Sequence, residues 1–275
     1  GAHCQFDEHT SWTIPVASRA RDVRINRFSS QHPLYARYLE RIEAVLAHWS
    51  WETYLPVLCG HDGVADILAG MLGPETLAVE LCESPADVKA AAEAAADFMC
   101  EAIAFERQLF HSAGVIGDGM ATLFNTFQPG WAVVFVEDFT ALIGPDHYRE
   151  FFFEHDRRII EQFDSVLFHT HSAGYKNMPE MLKLPQRAAF EFGNDPNGPG
   201  TAQRISVVRD ILACGRPAVC GSWNMPLTDD DINLIVNSLP PQGLDLRFQC
   251  ASASEACDVY QRITSHFAHC KDTTV

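Results

Sequence analysis

The stretch that most constrains this chain is residues 165–199, SVLFHTHSAGYKNMPEMLKLPQRAAFEFGNDPNGP. Two short apolar runs, 166–168 and 188–192, each end in polar residues able to bind or react. His169-Thr170-His171 follows the first and Gly193-Asn194-Asp195 the second. Between them Met178, Met181, Leu182 and Leu184 recur at near-helical spacing. The pattern predicts a strand–helix–strand unit, and such units build parallel sheets. In barrels made this way the chemistry sits at the carboxyl ends of the strands, where the two histidines and Asp195 fall.

The same alternation runs through the rest of the chain. Leu34, Tyr38, Leu39, Ile42, Val45, Leu46 and Trp49 predict a helix over 33–49, opened by Pro33. A buried strand over 54–58 leads into Cys59-Gly60-His61-Asp62-Gly63, and a short helix follows over 64–72. His61 and Asp62 therefore either face the site or cap that helix. Ser84-Pro85-Ala86-Asp87 reads as a helix start with a serine cap, and the alanine-rich helix runs towards His111 and stops at Gly114. Then come a short strand within 121–127, a buried strand over 131–136 ending in Glu137-Asp138, and an amphipathic helix over 145–163. After the central unit follow a helix over 205–213, a strand over 217–220, a helix capped by Thr228, a strand over 244–249 and a last helix to about His269. Glu137 and Asp138 cannot both point inward, because side chains alternate along a strand.

No internal repeat, low-complexity tract or linker interrupts the order, so residues 1–275 read as one domain. The expected fold class is α/β, a (β/α)8 TIM-type barrel. Six strands are clear and a seventh is short, where a closed barrel has eight. Either the first strands lie upstream of residue 1, or residues 1–18 supply one in degenerate form. A net charge of −16 with no basic stripe excludes nucleic acid and anionic membranes as partners. The nine cysteines are scattered singly, which suits reduced thiols and a cytoplasmic location. No membrane span or signal-peptide core is visible. The expected partner is a small-molecule substrate, and a homo-oligomer is compatible with the pattern.

His169 and His171 stand two apart at a strand end, so both rings can leave the backbone on one side. Such a pair can ligate zinc, which needs three or four nitrogen, sulfur or oxygen donors. It can equally bind a substrate carboxylate, or act as acid and base near neutral pH. The amidohydrolase type of barrel also uses His-x-His, but on its first strand and with histidines on later strands. Here the pair is mid-chain, and the only later histidines are His266 and His269 in the last helix. Cys250 ends the last strand at the same rim, as packing or as a ligand, and Cys220 competes with it. Trp223 reads as pocket wall or core, and Tyr175, after Gly174 in the rim loop, as a substrate contact. The turn formers of 193–200 are suited to hold Asp195 stiffly, against substrate or against an imidazole.

The segment from Asp138 through Gly144-Pro145-Asp146, the strand ending in His169-x-His171 and the strand ending before Asp195 together resemble the uroporphyrinogen decarboxylase superfamily. Leu72-Gly73-Pro74-Glu75 and Glu83-Ser84-Pro85 extend the likeness, which covers most of the chain from about Pro56. That superfamily includes cobalamin-dependent methyltransferases that move methyl groups between a corrinoid protein and coenzyme M. The resemblance implies the (β/α)8 barrel and picks Asp138 as the acid that meets substrate or a histidine. In the methyltransferase branch a His-x-Cys-Gly strand end and a later Cys bind zinc and activate a thiol. By that match His169, His171 and Cys250 are the expected metal ligands; Asp138, Asp195 and His171 are the expected catalytic residues, the last two from the reading of the residues themselves. Tyr175, Trp223 and His61 are the expected substrate contacts, and a corrinoid on a partner protein is the implied co-substrate. The decarboxylase branch uses no metal and holds carboxylates with N-terminal arginines in an Arg-Gln-Ala-Gly-Arg-type motif absent from this sequence. A metal-free lyase and a non-catalytic ligand-binding barrel remain the alternative readings.

Overall fold

The structure, a computed structural model, describes residues 3–6, 8, 11–50, 52–196, 198–221 and 227–271. It opens with an antiparallel hairpin, β1 (His3–Phe6) and β2 (Ser11–Ile14). Helix α1 (Pro33–Leu46) follows, then β3 (Val57–Leu58) and β4 (His61–Asp62). Three helices come next in sequence: α2 (Val64–Leu72), α3 (Pro74–Glu83) and the long α4 (Pro85–Ser112). Strands β5 (Gly119–Thr122), β6 (Phe127–Pro129) and β7 (Ala132–Val136) precede α5 (Pro145–Phe151) and α6 (Phe153–Ile160). The remainder alternates: β8 (Ser165–His169), α7 (Met178–Met181), β9 (Ala188–Phe192), α8 (Thr201–Ala213), β10 (Ala218–Gly221), α9 (Asp229–Ser238), β11 (Leu244–Arg247) and α10 (Ala253–Lys271).

The main sheet has the order β11-β10-β9-β8-β7-β4, and every neighbouring pair in it is parallel. Strands β3, β5 and β6 form a separate small sheet. Among the described residues this is a six-stranded parallel sheet with helices, in keeping with the six strands read from the sequence, and no closed ring is formed. Among the described N-terminal residues, β1 and β2 pair with each other rather than with this sheet. Instead Thr13 packs against Gly70 of α2, where a methyl group would crowd its hydroxyl.

Strand alternation divides the sheet into two faces. Val133, Phe135, Val166, Phe168, Phe190 and Phe192 face the helices in the main hydrophobic core. Val134, Leu167 and Val219 form a second, smaller cluster on the opposite face, with Val136, Ala189 and Phe124 against it. Two residues beyond Leu167 and Ala189 on that second face come His169 and Glu191, register partners across β8 and β9. The site is thus built at the carboxyl end of the face opposite the helix-packed core.

Several local expectations shift by a physical cause. The helix over 145–163 is broken at Phe152, whose backbone leaves the helical region (φ −125°, ψ −34°). Ser84 sits at the N-cap of α4 without capping it, and its hydroxyl accepts from Arg19 Nη2 at 3.2 Å. Thr228 does close the expected cap, in a reciprocal box with Asp231. Arg216, buried behind β10, is wrapped by the carbonyls of Leu182, Leu184, Pro185 and Ala188, which explains why a charged side chain is tolerated there.

Candidate metal centre

β7 ends at Val136, and its next two residues separate. Glu137 is fully buried in the helix layer, while Asp138 opens a 3-10 turn over Asp138–Leu142 beside the histidines. Asp138 Oδ1 lies 3.4 Å from His169 Nε2, and Asp138 Oδ2 lies 3.4 Å from His171 Nε2. One donor atom from each residue falls within 4.8 Å of the other two. The 3.4 Å spacing is long for a hydrogen bond, which prefers about 2.7–3.2 Å. Each distance is near the separation of neighbouring ligands on a tetrahedral zinc, about 3.3–3.5 Å for metal–ligand bonds near 2.0–2.2 Å, although the two run to different carboxylate oxygens. Asp138 Oδ1 is, besides, a buried oxygen with no hydrogen-bond partner. The donor set fits a small divalent cation of zinc type.

The other nitrogen of each ring is backed by an acid. His169 Nδ1 is hydrogen-bonded to Glu191 Oε2, and His171 Nδ1 lies 3.1 Å from Asp195 Oδ1. A carboxylate on Nδ1 keeps a proton there and leaves the Nε2 lone pair for a metal. Asp195 is itself fixed, because its Oδ2 accepts the Ser172 N–H at 2.6 Å and the Ser172 hydroxyl at 2.8 Å. Thr140 and Thr170 share a hydrogen bond of 2.9 Å, and Asn177 Nδ2 donates to Thr140 O at 2.6 Å, which ties the turn after β7 to the one after β8.

Without a metal these contacts favour protonated imidazoles. The facing carboxylates of Asp138 and Asp195 push the pKa of His171 up to about 10. Burial works against a charge on His169, but the hydrogen bond and charge of Glu191, helped by Asp138, outweigh it and raise its pKa. Asp62, at the rim, is pushed up by desolvation and by the neighbouring charge of Asp138.

The remaining expected site residues fall elsewhere. Cys250 does not join the donors. It lies beyond β11, the edge strand, three strands from β8, so Asp138 rather than a thiol completes the set. Cys220 faces the helices, and burial raises its thiol to about 11. His61 is turned away from the imidazole pair, with Nε2 2.9 Å from Glu106 Oε2 and its ring beside Phe163. Alternation gives the position near Asp138 to Asp62 instead. Tyr175 lines a cleft of about 220 Å³ with Lys176, Met178, Leu182, Gln203 and Val207. Trp223 lies outside the described residues.

Glu191 escaped the sequence reading, hidden in a strand that otherwise reads as apolar packing. A lone acid in a buried strand was the available signal, since such a group is almost always paired. Phe124, in the turn between β5 and β6, also went unread; its ring lies 5.1 Å from that of His169.

No known protein family matches this sequence, and no curated protein does. Solved structures do resemble it. A methyltransferase from Methanosarcina mazei superposes with a TM-score of 0.60 over 98% of this chain and 75% of its own, at 11% identity. At that identity the likeness is one of fold. No helix among the described residues is long and apolar enough to cross a membrane.

Proposed function

We propose that this chain is a zinc-dependent, methyltransferase-like enzyme of the uroporphyrinogen decarboxylase superfamily, its sheet an arc of a (β/α)8 barrel. It would transfer a methyl group between a corrinoid carried by a partner protein and a thiol or related acceptor. The observation that carries the reading is the convergence of both Nε2 atoms on the Asp138 carboxylate, with both Nδ1 atoms backed by acids. The fold likeness to a methyltransferase agrees with it.

In this reading His169, His171 and Asp138 hold the metal, and a three-ligand set leaves a position for the reacting molecule. A zinc ion there supplies Lewis acidity that favours the thiolate form of a thiol acceptor. Glu191 and Asp195 hold the ring protons at Nδ1 and orient the imidazoles. Phe124, against the open side of the His169 ring, keeps one flank of the site apolar. Protein prepared without chelators should carry about one equivalent of zinc, lost in His169→Ala. Less than about a tenth of an equivalent, unchanged by that substitution, would sink the proposal.

One observation favours a second reading, the metal-free lyase on a carboxylated substrate. An imidazole whose pKa is about 10 is charged at neutral pH and half-exposed, so His171 could hold a carboxylate or donate a proton. That reading requires turnover that survives chelation. Activity abolished by a chelator and restored by zinc excludes it.

A further inference from the structure

The carboxylate of Asp138 stands on an irregular piece of chain, a 3-10 turn after a strand end, where nothing in the local ladder fixes it. What does fix it comes from α2. Asp66, in the first turn of that helix, accepts the backbone N–H of Asp138 at Oδ2 (2.8 Å) and of Phe139 at Oδ1 (2.7 Å). These are the first two N–H groups of the 3-10 turn, which have no partner within it. In return, residues at the end of β7 serve the start of α2. Glu137 Oε1 accepts the Ala65 N–H at 3.2 Å, and Gly63 N–H donates to Val136 O at 2.7 Å.

Two helix starts therefore cap each other, and the metal-facing acid is the first residue of one of them. Neither Gly63 nor Glu137 supplies a side-chain cap to its own helix, so the exchange replaces the ordinary local caps. Approach this close needs Gly63, because a Cβ there would collide with the Glu137 carboxylate.

Building on the metal-site reading above, we infer that Asp66 is a positioning residue: its bidentate grip on the backbone of Asp138 and Phe139 sets the place of the Asp138 carboxylate between His169 and His171. It touches neither metal nor substrate. It acts by orienting a ligand, as the outer partners of metal ligands generally do, and losing such a partner typically costs about 10–100-fold in affinity.

The probe is Co(II), titrated into metal-free full-length protein and followed by its visible d–d absorption. Asp66→Asn keeps an acceptor for one of the two N–H groups and should bind Co(II) about tenfold more weakly. Asp66→Ala keeps none and should lose nearer 100-fold. Both should give an altered d–d band, which a loss of stability alone would not produce in folded protein. Should the alanine variant fail to fold, the isosteric asparagine variant decides. Wild-type affinity and spectrum in a folded variant would overturn the inference. If the wild type takes up no Co(II), it is the reading of the site that fails. The clamp is then judged without metal, by hydrogen exchange at the amides of Asp138 and Phe139. Exchange at least about tenfold faster in Asp66→Asn supports it, and unchanged exchange overturns it.

Discussion

Glu137 and Asp138 are neighbours in the chain and belong to different compartments. Glu137 is sealed in the helix layer against Ala65 and Asp156, while Asp138 reaches both imidazoles on the other face of the sheet. The strand end thereby serves two acidic groups with opposite requirements, one kept from water and one offered to a ligand.

The first group leads to a prediction about stability. Burial pushes Glu137 well up and Asp156 up to about 7, so the facing pair holds a proton that neither acid would keep in the unfolded chain. Asp156 binds its proton more tightly folded than unfolded, so its contribution to stability is lost as pH rises from about 4 through about 7, and that of Glu137 is lost at higher pH. Asp156→Asn keeps an acceptor for the Tyr148 hydroxyl, which donates at 3.0 Å, and needs no proton. Its melting temperature should gain on the wild type between pH 5 and pH 8. A difference that stays constant across that range refutes the shared proton.

Metal uptake should be steeply pH-dependent. His169 and His171 are held protonated by their carboxylate partners, and a cation must displace those protons. Competition with a chromophoric chelator at pH 6, 7 and 8 should show the logarithm of the apparent affinity rising by about one to two per pH unit. A flat profile would mean that the imidazoles are not ligands.

Asp195→Asn should separate a turn former from an orienting acid. The carboxylates of Asp138 and Asp195 together hold His171 up to about 10. With the amide, the His171 ring should titrate at least about one unit lower by NMR, and zinc should bind about 10–100-fold more weakly. If the titration and the affinity are both unchanged, Asp195 serves only the loop, through Ser172.

Gly63→Ala tests the contact between α2 and the strand end. The added methyl meets the Glu137 carboxylate in a fully packed interior. The expected cost is about 1–3 kcal/mol, read by urea denaturation. A neutral substitution would show that Glu137 can move aside.

The strand–helix alternation after residue 131 was legible because each strand is a short apolar run bounded by turn residues, and one such unit carries His169, His171 and Asp195 together. The span of α2 was legible for the same reason, with Gly63 before it and Gly73 after. The break at Phe152 was not, since the apolar spacing continues through it. Nor did the spacing reveal which face His61 takes, because β4 is only two residues long. The partners of Glu191 and Asp66 were invisible for a deeper reason. They lie 22 and 72 residues away, and pairing across such distances depends on register and packing, which no local pattern encodes.

The pairing of His169 with Glu191 across β8 and β9 has a consequence for how the protein matures. Side chains alternate along a strand, so a slip of one residue between the two would present Phe190 or Phe192 to the imidazole in place of the acid. The ring would then lose its Nδ1 partner and, buried, would not keep its orientation. A cation arriving early would find no matched set of donors and could not template one. In the metal-site reading, loading would therefore inspect the register of this seam, and a molecule mispaired there would stay empty.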